Sequence, residues 1–268
     1  MDALIIAAGF GSRLRALSPS KPLTPVAGKP LIELGIRQAK AAGAARVVVV
    51  TGHEAARLEA CLKAIAEQAA IRIDAVRIDD WTKPNGYSVM AGAAQITGDF
   101  LLMMADHIFS APILTLLAKQ SSPERAVTLA IDRRIASPLI DPDDATWVET
   151  GPDGMIRAIG KSITTYDAVD CGAFFATQEL PQAIAAAIAS GKSGGLSDGM
   201  QVLAVRGRAG VMDIGDAWWL DVDDPRAHIL AEAEVAFRLP EIYASAHTNL
   251  GSEQQGSGIF HPDLGDQT

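Results

Sequence analysis

Apolar residues run almost unbroken over positions 3–8, through "RVVVVTG" and through "DFLLMMAD", and each run closes on glycine or aspartate. Runs of that length without polar alternation predict strands buried on both faces, as in a parallel sheet. Between them the period changes. "PLIELGIRQAKAAG", residues 30–43, predicts a helix with proline at its first position and glycine near its stop. Residues 54–68 and 88–96 also show helical spacing, whereas "IRIDAVRI" alternates as a strand does. The order is βαβαβ, so the predicted fold class is α/β, a mostly parallel sheet with helices on both faces.

After Leu114 the regularity weakens. "RAVTLAID", "ATWVET", "MIRAIG" and "CGAFFAT" predict shorter strands and "ELPQAIAAAIASG" a helix, which suits antiparallel strands appended to an open sheet. Residues 1–240 are therefore read as one domain. Residues 241–268, polar and glycine-rich from His247 on, are expected to form a mobile tail without chemistry.

Composition narrows the function classes. With 268 residues and 49% hydrophobic content the chain can bury one substantial core. A formal charge of -9 argues against a nucleic-acid backbone as partner, because that affinity needs a basic face. A small molecule is expected instead. Two cysteines, Cys61 and Cys171, are too few for a disulfide framework or a thiolate metal cage. No run of about 18 apolar residues occurs, and the chain starts directly on strand residues without a leader pattern. The expectation is a soluble cytoplasmic protein.

The first apolar run opens into "AAGFGSRLRALSPSKPL". A dinucleotide fingerprint would need glycine at Leu14, and a Walker loop would need Gly-Lys at Leu14-Arg15; both fail. What remains is a loop, Ala8, Gly9, Gly11 and Ser12, whose bare amides can approach an anion while Arg13 and Lys21 offer charge. That suits a nucleoside triphosphate, although a tight turn with solvated basic residues would look the same. Asp106 closes the third apolar run at a strand's carboxyl end, on the rim where ligands of open α/β sheets sit, and there a carboxylate can hold Mg²⁺ or merely cap a turn. His107 beside it is read as a structural hydrogen-bonder. In "WWLDVDDP", Asp221 and Asp223 alternate on one face of a short predicted strand, and Asp224 would cap the helix that Pro225 starts. Asp221 is the second candidate metal ligand, with Asp223 as the fallback. Asn85-Gly86 predicts a turn just before a helix, with Ser88 near its N-terminus, where amides could read a base edge or a ribose hydroxyl. Taken alone, that turn and Lys161 are unremarkable.

In this order the segments resemble the nucleotidyltransferases that activate sugar phosphates and related alcohols. The signature is "AAGFGSRL" with a downstream Lys-Pro, "GKPLI", an Asn-Gly turn, a strand-terminal Asp and "WWLDVDDP". Within that superfamily "NGYSV", "MMADHIF", "IGKSITTYDAVDCGAFF" and "GGLSDGMQVL" look like the myo-inositol-1-phosphate cytidylyltransferases, over about residues 3–238. The resemblance implies a GT-A-like fold that transfers a nucleotidyl group with Mg²⁺ as cofactor. It matches Arg13 and Lys21 to the triphosphate-binding and catalytic basic residues, Asp106 and Asp221 to metal ligands and Lys161 to the acceptor-side lysine. The usual Pro-Lys-Pro reads Ser20-Lys21-Pro22 here, with the lysine kept. Some archaeal relatives carry a fused membrane synthase domain; none is expected in this chain, and any phosphodiester product would then need a separate enzyme.

The expected partners are thus CTP and a small phosphorylated acceptor, with no nucleic acid and no membrane segment. Other acceptors fit the same chemistry: phosphocholine, an aminoalkyl phosphonate, or a sugar 1-phosphate with UTP or dTTP. A quaternary ammonium would want aromatic and acidic walls, for which Trp81, Tyr87, Tyr166, Trp218 and Trp219 are candidates. A silent nucleotide-binding regulator would be expected to have lost the loop arginine or the carboxylates, and Leu14 disfavours a dinucleotide oxidoreductase.

Overall fold

The computed structural model of the chain describes residues 1–243, and the tail singled out from His247 lies outside them. The first apolar run is strand β1 (Asp2–Ile6), followed by two 3-10 turns, Ser12–Leu14 and Lys21–Leu23, and a hairpin of β2 (Pro25–Val26) and β3 (Lys29–Pro30). Next come α1 (Leu31–Ala41), β4 (Arg46–Thr51), α2 (Ala55–Ala69), β5 (Arg72–Arg77), α3 (Asn85–Ala93), β6 (Phe100–Met104), β7 (His107–Phe109) and α4 (Ala111–Leu117). The second half holds β8 (Val127–Asp132), β9 (Trp147–Thr150), β10 (Ile156–Gly160), β11 (Ala168–Ala176), α5 (Glu179–Ala189) and α6 (Leu196–Val205). It ends in β12 (Ala209–Asp213), β13 (Trp219–Asp221), α7 (Pro225–Arg238) and the single turn α8 (Pro240–Tyr243).

The main sheet runs β10-β9-β11-β6-β1-β4-β5, with β8 beside β11 and β12 beside β8. β1 is parallel to β4 and β6, and β4 to β5, while β11 lies antiparallel to β6, β8 and β9. The α/β half with antiparallel additions is thus the one the period changes predict. Ile6 pairs with both Val50 and Met104, so three parallel strands stop at one level. The chain leaves that rim at Ala7, Gly52 and Ala105, which gathers the glycine loop and Asp106 at the carboxyl ends of the strands.

Helices cover both faces. Ile32, Ile36, Leu58, Leu62 and Leu117 bring α1, α2 and α4 onto one side, and Val89, Ala93, Ile184, Met200 and Leu203 bring α3, α5 and α6 onto the other. A third cluster joins Leu14, Val26 and Leu34 to Trp218, Leu220 and Val235. Burying such side chains is worth about 2 kcal/mol each, so the segment after the glycine loop is pinned to the C-terminal helix.

Several local readings shift. β1 ends at Ile6 rather than Ala8, because the Ala7 N–H still bonds Val50 while Ala8 already turns to accept from His53. Pro30 caps α1 instead of opening it. Asn85 and Gly86 are the first turn of α3 and not a turn before it, since Pro84 sits at the extended N-cap position. Asp223 lies beyond the end of β13, so it does not share a strand face with Asp221.

Asp132 ties the sheet to the site. Its buried carboxylate accepts from Arg134 Nε and Nη2 (both 2.9 Å) and from Trp219 Nε1 (2.9 Å). Burial pushes its pKa up, but those donors outweigh it and hold the group below the ordinary carboxylate range. A depressed folded-state pKa contributes stability above the unfolded value that disappears as pH falls through the folded one. Asp132→Asn is therefore expected to cost about 2 kcal/mol at pH 7, discounted for the half-exposed arginine. Thermal unfolding should show that gap narrowing below pH ~4, and a gap that stays constant with pH would remove the charge from the account.

Candidate active site

Two cavities open at the rim and share a wall. One, of about 320 Å³, is lined by residues 7–9 and 11–13 of the glycine loop, by Lys21, and by Trp81, Asn85 and Ser88. The other, of about 410 Å³, is lined by Lys161, Asp170, Trp219, Asp221, Arg226 and, from one loop, residues 138–142 and 144–146. Arg13, Asn85, Met104, Asp106 and Asp223 belong to both.

The shared wall is where the candidate residues converge. Lys21 Nζ reaches Asp106 Oδ2 at 2.5 Å and also pairs with Asp223. Arg13 pairs with Asp223, Asp144 and, at 3.5 Å, Asp141. Gly11 makes this possible: its φ is +58°, and a Cβ there would lie 2.4 Å from Lys21 Cβ. Gly9 leaves open space around its Cα. Ala8, Gly9, Gly11, Ser12, Asn85 and Ser88 all line the first cavity.

Gly86 does not line either cavity. A Cβ on it would meet the Gly194 carbonyl oxygen at 2.3 Å, so its job is to let α3 approach the turn before α6. Asn85 works with it by accepting from the Leu196 N–H at 2.8 Å, which leaves its NH₂ group as the donor for the cleft.

Asp106 and Asp221, 115 residues apart, are joined by a short ladder. β7 and β13 pair antiparallel with Asp221 opposite His107, and the Val222 N–H donates to the Asp106 carbonyl at 2.9 Å. His107 is the hydrogen-bonder it was read as, with Nδ1 2.8 Å from Asp106 Oδ1, and its ring stacks on Trp219. Burial alone would favour its neutral ring, but the Asp221 and Asp106 carboxylates raise its pKa to about 9. Burial likewise opposes ionisation of Asp106, yet Lys21 and His107 bring it well below the usual range. Asp170, in the second cavity, is pushed up by burial to about 6.

The donor set fits a small hard cation. Asp144, Asp221 and Asp223 can each bring an oxygen within 4.8 Å of the others, as can Asp106 and Asp221 with His107. Asp221 Oδ1 is buried and has no hydrogen-bond partner. Carboxylate oxygens of this kind suit Mg²⁺, which takes one or two and completes its shell elsewhere.

Among the aromatic candidates, Trp81 lines the first cavity and stacks on Phe10, and Trp219 lines the second. Tyr166 stacks on Trp147, Tyr87 lies under Lys83, and Trp218 is buried in the third core cluster. Sequence reading missed Asp144, Asp170 and Arg226. Asp144 stands in "PLIDPDDATW", where the only signal was three acidic residues in a turn with nothing to choose between them.

Residues 3–150 match the MobA-like NTP transferase domain. The chain belongs to that family. It is a nucleotidyltransferase by descent, and its sheet with helices on both faces is the GT-A-like fold that the resemblance implied. This family member is 31% identical over 237 residues to a bifunctional IPC transferase and DIPP synthase of Rubrobacter xylanophilus, covering 88% of this chain and 52% of that protein. It is 29% identical over 228 residues to the same-named protein of Aquifex aeolicus, covering 83% and 49%. The chain thus spans about half the length of the curated relatives it matches. In fold it is similar to the inositol-1-phosphate CTP transferase from T. maritima, with a TM-score of 0.75 and 23% identity over 88% of this chain and 96% of that one. No helix among the described residues is long and apolar enough to cross a membrane.

Proposed function

We propose that this NTP transferase moves CMP from CTP to a phosphate monoester, with myo-inositol 1-phosphate as the acceptor, giving CDP-inositol and pyrophosphate. The observation that carries the reading is the pair of cavities meeting at Arg13, Asp106 and Asp223, one beside a glycine loop and one reaching Lys161. The choice of cytidine and of inositol phosphate is supported by names alone, those of the IPC transferase relatives and of the inositol-1-phosphate CTP transferase similar in fold.

The acceptor's phosphate has a second pKa near ~6, so at neutral pH the attacking oxygen is already ionised and no general base is needed. The work left to the chain is electrostatic and positional. Arg13, with its planar fork, and Lys21 take charge on the triphosphate, and the backbone amides from Gly9 to Ser12 hold it close. Lys161 steers the acceptor phosphate from the other cavity. Asp106 and Asp221, with Asp223 and Asp144 near, would hold Mg²⁺, which when bound offsets charge around the α-phosphoryl group.

Pyrophosphate release from CTP and myo-inositol 1-phosphate with Mg²⁺, with phosphocholine in a parallel reaction, tests the reading. Turnover with inositol phosphate is expected. Turnover with phosphocholine alone would move the acceptor and keep the nucleotidyl chemistry, and silence with both would sink the cytidylyl assignment for these acceptors.

A further inference from the structure

Asp144 lines the second cavity and divides its oxygens between Arg13, on the wall shared with the first, and Lys161. Oδ2 accepts from the Arg13 guanidinium and Oδ1 from the Lys161 ammonium. One partner belongs to the loop assigned to the triphosphate and the other to the acceptor side. The loop is held by Asp141, whose carbonyl accepts from Ala145 N at 2.9 Å and whose carboxylate accepts from Asp143 N at 3.0 Å. Arg13 and Lys161 side chains are 41% and 61% exposed, so these pairs are individually weak and exchange partners readily.

The charge balance gives the pairing a consequence. Arg13, Lys21, Lys83, Lys161 and Arg226 line the two cavities with seven aspartates, so carboxylates outnumber the lysine and arginine cations where a polyphosphate would lie. A metal-free polyphosphate on the loop must take Arg13 away from Asp144, whose other oxygen stays with Lys161, and then sit beside the remaining acids. A divalent cation arriving with it relieves that repulsion.

We propose that Asp144 is an internal counter-ion: it competes with polyphosphate for Arg13 and so weakens capture of the metal-free anion relative to its divalent-cation complex. The inference rests on the reading of the Gly9 to Arg13 loop as a polyphosphate site.

Calorimetric titration of the full chain with inorganic pyrophosphate, once in EDTA and once with Mg²⁺, tests it. Asp144→Asn is expected to bind metal-free pyrophosphate roughly ten-fold more tightly than the wild type, which is about 1.4 kcal/mol. A side chain that merely held the loop together would give weaker binding when replaced. Asp144→Glu keeps the charge and is expected to stay within roughly two-fold of the wild type. Asp143→Asn removes the same charge from the same loop, at a residue that lines neither cavity, and is expected to change nothing. Asp144→Ser supplies a second neutral variant if the asparagine form melts early. Unchanged or weaker binding in a folded neutral variant overturns the proposal, as does equal tightening in Asp143→Asn, which would make the effect one of bulk charge. A wild type that binds pyrophosphate neither with nor without Mg²⁺ overturns the loop reading and this inference together.

Discussion

Asp106→Ala and Arg13→Ala are each expected to lower turnover by at least ~100-fold, about 3 kcal/mol of transition-state stabilisation, while leaving the protein folded. Both residues stand on the wall between the cavities. The barrier to nucleotidyl transfer comes from bringing two anions together and from charge gathering on the leaving pyrophosphate, so a lost preorganised charge is felt in the rate. The fold should survive because the remaining charges are not stranded. Without Asp106, Lys21 keeps Asp223, and His107 keeps Asp221 at 3.7 Å. Arg13 is 41% exposed, so its loss returns three carboxylates to water-facing positions and opens no cavity in the core. Steady-state pyrophosphate release beside thermal unfolding checks both halves of the claim. Near-normal turnover in either variant would take that residue out of the mechanism, and a collapse of the melting temperature would leave the rate loss as a consequence of unfolding.

The part of this site that the sequence reveals is the part built on strong periodicity. β1, β4 and β6 are continuous apolar runs, and each stops within two residues of where its pattern stops, which is enough to place Gly9 and Asp106 on one rim. Helices α1, α2 and α5 come through within a few residues for the same reason. The short strand expected in "WWLDVDDP" is β13, but the pattern does not carry its partner β7, three residues long and too short to show a period of two. Their pairing is tertiary, yet it is what sets Asp221 beside Asp106. α6 is hidden by the glycines at its start, and it is the helix whose first turn captures Asn85. Gly86 shows the opposite failure, a turn dipeptide whose meaning is close packing rather than ligand contact. Asp144 is legible only through its partners: an acidic turn has no preferred member until Arg13 and Lys161 are brought to it from 131 and 17 residues away.

Gly11→Ala should hurt catalysis far more than stability, because two constraints meet at that Cα. The backbone there is left-handed, which costs a non-glycine residue about 1–2 kcal/mol. The added Cβ would also lie 2.4 Å from Lys21 Cβ and 2.9 Å from its Cδ, so the lysine stem must move. Lys21 is the ammonium between Asp106 and Asp223, and a shift of about 1 Å in a positioned charge can cost ~100-fold in rate. The expected result is a loss of that order in turnover with a folded protein. Gly9→Ala separates strain from substrate approach, since nothing lies within 4 Å of a Cβ at Gly9. That variant should melt like the wild type and raise the nucleotide KM, because the only neighbour such a methyl can disturb is the substrate's own polyphosphate. Wild-type turnover in a folded Gly11→Ala protein would detach Lys21 from the chemistry, and an unchanged nucleotide KM in Gly9→Ala would move the polyphosphate away from this loop.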